Sequence, residues 1–570
     1  MQKDDWSNVV DHNDKHKIIS EQYADLIIKD YKSNPLLQLE EIEAINIIDD
    51  NYAVVYVPLQ EVERDSINKY GYNSFPFCYT LTASLENESI NILQNRTLPS
   101  LGLKGENVLI GIVDTGIDYT NPTFLNQDGT SRIVSIWDQT INEEECVNVF
   151  HYGCVYSKQD INEALKSVDP LQHVPTMDTI GQGTIIAGVA GGSSDLANKF
   201  SGIATKSEYV VVKLKPAKEA IREFFLIPED RVCYQENDIM LGVNYLISVA
   251  QEVNRPIAIC IALGTNQGGH AGLGKLSDML SSFSQKPGVS IVIAGGNEAN
   301  GRNHYEGRVD PYSGYTTVEL MVGKSRPSFC MEVWGSPNSE TMIHVISPSG
   351  EEFTTSSPND YDSRRLDFPD DDTTVWLNNI LLESDTKDEL ILFRFRTPVE
   401  GIWRFQVKAN TSYQSNFNIW LPVRYFLSND TYFLEPSSNT TIVSPGNSIM
   451  PITVSAYDLQ SGNIYNDSSR GFTRINIIKP DCAAPGVNMK VPFLNHRYVY
   501  GSGTGLSAAY LTGVTALFLE WGITNENLLT MTTINIKNYL IKSANRKQFI
   551  DYPNNIWGFG AVNIYNAFDI

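Results

Sequence analysis

The sequence predicts an α/β protein with three parts: a parallel-sheet domain, a small α+β unit before it, and an all-β insert within it. Between residues 101 and 311, continuous apolar strands such as VLIGIVD and YVVVKLK alternate with helical segments. That pattern is typical of a parallel sheet buried on both faces. From 312 to 430 the pattern changes to many short strands without a convincing helix, which indicates an all-β insert.

The remaining segments complete the predicted order. Residues 1–17 are polar, and residues 18–82 alternate amphipathic helical spacing with strand-like runs such as NYAVVYVPL, so we expect a small α+β unit there. After the insert, the chain ends with helix-forming segments. The predicted boundaries are 1–95 for the tail and α+β unit, 96–311 and 431–570 for the two parts of the parallel-sheet domain, and 312–430 for the insert.

Composition and charge exclude some classes of partner. The chain has 43 Lys plus Arg against 67 Asp plus Glu, a formal net charge of -24 that would repel nucleic acid and anionic membranes. The first residues lack the hydrophobic region of a signal peptide, and no apolar run reaches about 18 residues. We therefore expect no nucleic-acid partner, no membrane span and no signal peptide.

The seven cysteines indicate neither a disulfide framework nor a metal site. They are odd in number and scattered, with no CxxC pair and no histidine at zinc-ligand spacing. Cys260 and Cys482 lie in apolar or motif segments, where a buried inert thiol is expected. The carboxylates of DFPDDD (367–372) could bind calcium, but they lack a spaced ligand pattern and a solvated loop is favoured. We expect no cofactor.

Four residues in successive motif blocks are the candidate site. The strand VLIGIVD ends at Asp114, which places a carboxylate at the sheet edge where parallel α/β sheets carry their reaction sites. A turn Asp after a strand is commonplace by itself. Three further blocks follow it, however: GQGTIIAGVAGG with Gln182, IAGGNEANG with Asn297, and GSGTGLSAAYLTG with Gly505.

These blocks resemble the motifs of subtilisin-like serine proteases, whose chain order is Asp, His, oxyanion Asn and Ser. In that family the His motif looks like HGTHVAG and the Ser motif looks like GTSMA. The matching stretches here have Gln182 at the base position and Gly505 at the nucleophile position. Asp114 matches the acid that orients the base, and Asn297 matches the donor that stabilises the oxyanion. The resemblance runs from about residue 101 to the C-terminus with one insert.

The two replacements remove the chemistry that peptide hydrolysis needs. Acyl transfer requires an oxygen or sulfur nucleophile and a group that accepts its proton. Gln182 is a poor proton acceptor and Gly505 has no side chain. Of the neighbouring polar residues, Ser507 should project to the opposite helix face, Ser502 precedes the turn, and His173 lies in a polar loop. We expect none of them to substitute.

Within the subtilases, the chain resembles the Csp germination proteases of spore-forming clostridia. The segments that carry this resemblance are SRIVSIWDQT (131–140), FSGIATKSEYVVVKLKPAK (200–218), ALGTNQGGHAG (262–272), RGFTRINIIKPDCAAPGVNM (470–489) and LEWGI (519–523). The resemblance implies an N-terminal prodomain at about 1–95 and a jelly-roll insertion at about 312–430.

Further residues are placed near the site by this resemblance. The family binds substrate backbone at a strand end that here includes Gly264, Thr265 and His270, although for His270 a structural turn is as consistent as a ligand contact. We expect Lys479, Asp481 and Pro485 to shape the sheet edge without a part in catalysis.

The resemblance also implies a function. Active Csp members cut the zymogen of a spore-cortex hydrolase, and dead members regulate germination. This sequence therefore predicts a pseudoprotease of the spore cortex or coat region whose uncut prodomain occupies its cleft. Its partners would be other Csp proteins, the cortex-hydrolase zymogen or a small germinant. The alternatives are an active serine endopeptidase that uses non-standard residues and cuts itself near 84–96, and an inert chaperone-like spore component.

Overall fold

The structure is a computed structural model that describes residues 15–62, 66–85, 102–143, 146, 148–310, 312–325, 328–336, 339–355, 363–409 and 415–568. Most of the polar tail expected at 1–17, the boundary at 95 and most of the segment 84–96 lie outside the described residues.

The N-terminal unit, residues 15–85, contains a three-stranded antiparallel sheet and a following extended segment. Its elements are α1 (Lys15–Ile19), β1 (Tyr23–Lys29), β2 (Ala44–Ile47), β3 (Tyr52–Pro58), α2 (Ile67–Tyr70), β4 (Cys78–Leu81) and β5 (Ser84–Leu85). The first three strands pair in the order β1-β3-β2. The last two leave this unit and pair with strands elsewhere in the chain.

Continuous apolar runs form the first strands of the central domain, as the pattern predicts. The strands are β6 (Leu109–Asp114), β7 (Ile133–Asp138), β8 (Cys154–Ser157), β9 (Glu208–Lys213), β10 (Tyr234–Gln235), β11 (Ile257–Ile261), β12 (Leu263–Gly264) and β13 (Val289–Ala294). The helices among them are α3 (Lys158–Leu165), α4 (Gln182–Gly191), α5 (Glu219–Phe224), α6 (Glu236–Glu252) and α7 (Lys275–Phe283).

An all-β unit follows. Its strands are β14 (His304–Arg308), β15 (Tyr315–Val322), β16 (Phe329–Gly335), β17 (Met342–Ile346), β18 (Glu352–Thr354), β19 (Ser363–Phe368), β20 (Thr373–Ile380), β21 (Glu389–Arg396), β22 (Gly401–Lys408), β23 (Asn416–Trp420) and β24 (Tyr432–Phe433). They form two antiparallel sheets, β14-β23-β16-β21-β20-β19 and β18-β17-β22-β15-β24. Strand β14 pairs with β23 although it precedes residue 312, so the sheets begin before the expected insert boundary.

The chain then returns to the central domain. The elements are β25 (Ile452–Tyr457), β26 (Cys482–Pro485), β27 (Met489–Phe493), β28 (Arg497–Ser502), α8 (Thr504–Leu519), α9 (Thr533–Ser543) and α10 (Ile564–Phe568). The central sheet has eight strands in the order β26-β25-β13-β11-β6-β9-β7-β8. Every neighbouring pair is parallel except β7 with β8, which confirms the predicted α/β class.

One apolar core joins the N-terminal unit, the central sheet and the all-β unit. It contains Leu26, Val55, Ile259, Trp334 and Trp420, each at most 1% exposed. A second core lies on the other face of the central sheet, where α4, α8 and α9 pack. The N-terminal unit therefore shares a core with the domain that it precedes.

A buried ion pair adds to this attachment. The Asp25 carboxylate on β1 accepts a hydrogen bond of 2.5 Å from the Lys218 ammonium, and both side chains are at most 2% exposed. Its second oxygen accepts from the side-chain amides of Gln235 and Asn237, each at 3.0 Å. Because these partners satisfy both oxygens, the carboxylate can be buried without an unpaired charge.

The cysteine spacing indicates no disulfide framework, and the structure contains one disulfide among the described residues that the spacing does not predict. Cys146 and Cys154 form a disulfide, with their Cα atoms 4.9 Å apart. Spacing alone does not reveal that these two residues, eight positions apart, meet in the fold. Cys260 and Cys482 are buried free thiols, as expected, and burial raises the pKa of Cys260 to about 12.

Within the described residues, one helical stretch is long and apolar enough to cross a membrane. It is Thr504–Thr524, which consists of α8 and the turn after it, and 83% of its apolar window is buried inside the protein. Because α8 packs on the central sheet and on α4, its apolar character belongs to the core.

Candidate functional site

Asp114 lies at the carboxyl end of β6 and is almost fully buried. Its Oδ1 accepts a hydrogen bond from the Thr115 N–H at 2.7 Å, and its Oδ2 accepts one from Gln182 Nε2 at 2.8 Å. Burial raises the pKa of the Asp114 carboxyl to about 7, and these two hydrogen bonds oppose that rise.

Gln182 begins α4, and the helix starts unusually close to the turn after Asp114. A Cβ at Gly183 would lie only 2.0 Å from the Gly116 carbonyl oxygen, so a glycine is required there. The Gly183 N–H donates to Thr115 Oγ1 at 2.8 Å, which fixes the start of the helix on the turn. This contact brings the Gln182 side chain to the Asp114 carboxylate.

The cleft segment, residues 78–85, passes through the site as an additional strand. Its first part, β4, lies between β10 and β12 and pairs antiparallel with both. Tyr79 pairs with Tyr234 on one side, and Thr80 pairs with Gly264 on the other. The chain thus fills its own cleft with an extended segment of the N-terminal unit.

The same segment continues beyond the site without a break. Ser84 and Leu85 form β5, which pairs antiparallel with Ser502 and Gly501 of β28. The two paired stretches, β4 and β5, lie on either side of Thr82 and Ala83. The peptide group that joins Thr82 to Ala83 is therefore held from both directions.

The Thr82 carbonyl oxygen accepts two hydrogen bonds at the candidate site. Asn297 Nδ2 donates at 2.7 Å, and the Gly505 N–H at the start of α8 donates at 3.1 Å. Asn297 is itself oriented by the Thr504 N–H, which donates to its Oδ1 at 3.0 Å. An arrangement of one side-chain amide and one backbone N–H on a single carbonyl oxygen is that of an oxyanion hole.

Gln182 contacts the other end of the same peptide group. Its Oε1 accepts a hydrogen bond of 3.0 Å from the Ala83 N–H, while its Nε2 donates to Asp114 and, at 3.0 Å, to the Ala262 carbonyl. The Thr82 N–H and hydroxyl also donate to Ala262, at 3.2 and 2.7 Å. The structure thus gathers all four predicted residues around the Thr82–Ala83 peptide.

The neighbouring polar residues are engaged elsewhere. Ser507 Oγ is buried and donates to the Ala484 carbonyl at 3.0 Å. Ser502 Oγ accepts from the Asn488 N–H at 2.9 Å, and His173 is exposed. Among the described residues, no group of three or more His, Cys, Asp or Glu side chains is placed to hold a metal ion.

Of the three residues expected in the substrate cleft, Gly264 pairs with the cleft segment. Thr265 instead exchanges backbone hydrogen bonds with Ser444, at 2.9 and 2.8 Å. His270 is buried and stacks on Trp420 at 4.0 Å between ring centroids. Its ring nitrogens lie 3.0 and 2.9 Å from the carbonyl oxygens of Ile442 and Asn266, and burial lowers its pKa to about 3. The contacts of His270 are structural.

Sequence reasoning missed Thr82, Ala83 and Ala262. It placed a possible self-cleavage at 84–96, whereas the Thr82–Ala83 peptide is the one that lies in the site. The alternation of FCYTLTASL signals an extended segment, but the pairing of that segment with β10 and β12 depends on contacts distant in sequence.

Lys479 and Asp481, expected to shape the sheet edge, form a buried ion pair there. The Lys479 Nζ atom lies 2.7 Å from the Asp481 Oδ2 atom.

Comparisons with known proteins identify the family of this chain. A family model described as the subtilase family matches residues 105–326 and 427–560, which is more than half of the chain. The chain belongs to the subtilase family.

This subtilase is also similar to the solved structure of the Clostridium perfringens CspB protease. The sequence identity is 29% and the TM-score is 0.73, over 82% of this chain and 94% of that one. A comparison with curated proteins finds no match.

The raised pKa of Asp114 predicts a distinctive pH dependence of stability in this subtilase. The carboxyl has an ordinary pKa of 3.8, and its pKa in the folded protein is about 7. The stability that it contributes is therefore fully present below pH 3.8 and is lost as the pH rises to about 7. Relative to Asp114→Asn, we expect the wild-type free energy of unfolding to fall by up to about 4 kcal/mol over that window.

Urea unfolding at several pH values measures this difference. The matched control is Asp551→Asn, which changes an exposed carboxyl and should keep the wild-type pH dependence. If Asp114→Asn also keeps it, Asp114 titrates normally and its burial has been misjudged.

Proposed function

We propose that this subtilase is a pseudoprotease of the Csp type that regulates spore germination by binding partner proteins. The observation that carries the proposal is the position of the Thr82–Ala83 peptide, which lies in the site against Gln182 and Gly505, residues that offer it neither a nucleophile nor a useful base. The N-terminal unit is then a retained prodomain, because the peptide whose hydrolysis would release it meets neither a nucleophile nor a base.

The chemical reason is specific to these two side chains. Hydrolysis would need an oxygen or sulfur atom next to the Thr82 carbonyl carbon and a group to take its proton. Gly505 supplies no atom there, and the amide of Gln182 is not a useful base. In subtilisin itself, loss of either Ser or His lowers kcat by about 10⁶. Asp114 and Asn297 remain, but they only assist groups that are missing.

Binding is the function that such a protein retains. We propose as partners other Csp proteins, the zymogen of a spore-cortex hydrolase or a small germinant, in the cortex or coat region of the spore. Since the cleft segment already pairs with both cleft strands, these partners bind at other surfaces. The competing function is a serine endopeptidase that uses non-standard residues.

Restoring the two side chains tests the assignment of Gln182 and Gly505. We expect the double variant Gln182→His, Gly505→Ser to cut itself between Thr82 and Ala83, because a Cβ at position 505 lies 3.2 Å from the Thr82 carbonyl carbon, once the Thr82 hydroxyl, 2.9 Å from that Cβ, rotates to make room. N-terminal sequencing of the large fragment identifies the cut. Each single variant is the matched control and should stay intact. If the double variant also stays uncut, the two positions are not the missing catalytic pair.

A germination assay tests regulation without catalysis. In the spore-forming host, we expect deletion of the gene to impair germination and a copy with His173→Ala and Ser502→Ala to restore it. An endopeptidase that uses non-standard residues needs a neighbouring base and nucleophile such as these, so it would no longer support germination with this variant. Unimpaired germination after deletion would contradict a regulatory function altogether.

A further inference from the structure

The site satisfies both polar groups of one planar peptide bond. The Thr82 carbonyl accepts from Asn297 and from the Gly505 N–H, and the Ala83 N–H donates to Gln182 Oε1. A buried peptide group is costly unless both its donor and its acceptor are paired. Here the residues that surround it provide each with a partner.

The contact from Gln182 binds the peptide without assisting its hydrolysis. When an amide bond breaks, the nitrogen must receive a proton, so a catalytic group near it has to become a donor. Gln182 Oε1 is only an acceptor, and it binds the N–H of a planar amide. Gln182 therefore holds the planar amide through its N–H but offers the nitrogen no proton for departure.

The orientation of the Gln182 amide is fixed by its neighbours. Its Nε2 donates to the buried Asp114 carboxylate and to the Ala262 carbonyl. The opposite orientation would place the amide oxygen against the Ala262 carbonyl oxygen and two N–H donors against each other at Ala83. The same carboxylate that orients a catalytic base in active subtilases thus orients an acceptor here.

Gly505 contributes through the space that it leaves. A Cβ at this position would lie 2.9 Å from Thr82 Oγ1, closer than real side chains allow. The Thr82 hydroxyl uses that space to donate to the Ala262 carbonyl at 2.7 Å. Because Gly505 has no side chain, the Thr82 hydroxyl fits in the orientation that binds Ala262.

We propose that Gln182 is a positioning residue that, with the space at Gly505, turns the site into a clamp for the intact Thr82–Ala83 peptide. This inference rests on the proposed function, since it requires an uncut chain. It goes further in assigning both replacements a binding role. The ligand of the degenerate site is the chain's own cleft segment.

Hydrogen exchange of the full-length protein measures the clamp directly. Gln182→Leu keeps the size of the side chain but removes its hydrogen bonds, and we expect exchange at residues 78–85 to rise at least about fivefold. The matched control is Gln139→Leu, because Gln139 is also buried and binds the Asp238 carbonyl and the Lys215 N–H, away from the cleft segment. It should leave exchange at 78–85 unchanged.

Gln182→Glu provides a readout that a merely structural residue would not give. A protonated Glu has the shape of Gln and keeps an acceptor for the Ala83 N–H, while its single O–H can donate to Asp114 or to the Ala262 carbonyl. An ionised Glu has no donor, and Asp114 and Asp178 are the carboxylates near it. We expect protection factors at 78–85 to match the wild type at about pH 5 and to fall to those of Gln182→Leu at about pH 9.

Two outcomes would overturn the clamp. One is unchanged protection of residues 78–85 in Gln182→Leu while circular dichroism shows a folded protein. The other is a Gln182→Glu variant in which the protection factors at residues 78–85 are the same at about pH 5 and about pH 9. A wild-type chain that appears as two fragments on a denaturing gel would instead contradict the proposed function, so the two failures are distinguishable.

Discussion

The hydrogen bonds to the Thr82 carbonyl oxygen are the contacts on which the rest of this structure depends. Three distant parts of the chain must meet to form them: the cleft segment of the N-terminal unit, the strand end that carries Asn297, and the start of α8 at Gly505. The strand pairing on both sides of Thr82 fixes the register of this meeting. A shift by one residue would place a different peptide at the site and reverse the side-chain faces.

The attachment of the N-terminal unit follows from the same constraint. A segment can remain in a cleft only if the unit that carries it stays in place. Here the unit shares an apolar core with the central sheet, and its Asp25 forms a buried ion pair with Lys218. Separating the two would expose the core and leave a charge without its partner, which is strongly destabilising in buried pairs. This attachment is physically consistent with the proposal that the cleft segment stays in place.

Much of the fold and part of the site could be predicted from the sequence. The buried strands alternate with helices, and parallel strands bring Asp114 and Asn297 to one edge of a sheet. The identity of the bound peptide could not be predicted, because the pairing of β4 depends on contacts with strands far away in the sequence. The stacking of His270 on Trp420 joins two domains, and the Cys146–Cys154 disulfide needs a chain reversal that composition does not encode.

The mass of the purified full-length chain tests the central claim most directly. An uncut chain should give a single species near 63.7 kDa, because no group next to the Thr82–Ala83 peptide can attack it. Two species separated at that peptide, formed while inhibitors of host proteases are present, would show that the site hydrolyses its own chain. That result would contradict the claim that Gln182 and Gly505 leave the site without a base and a nucleophile.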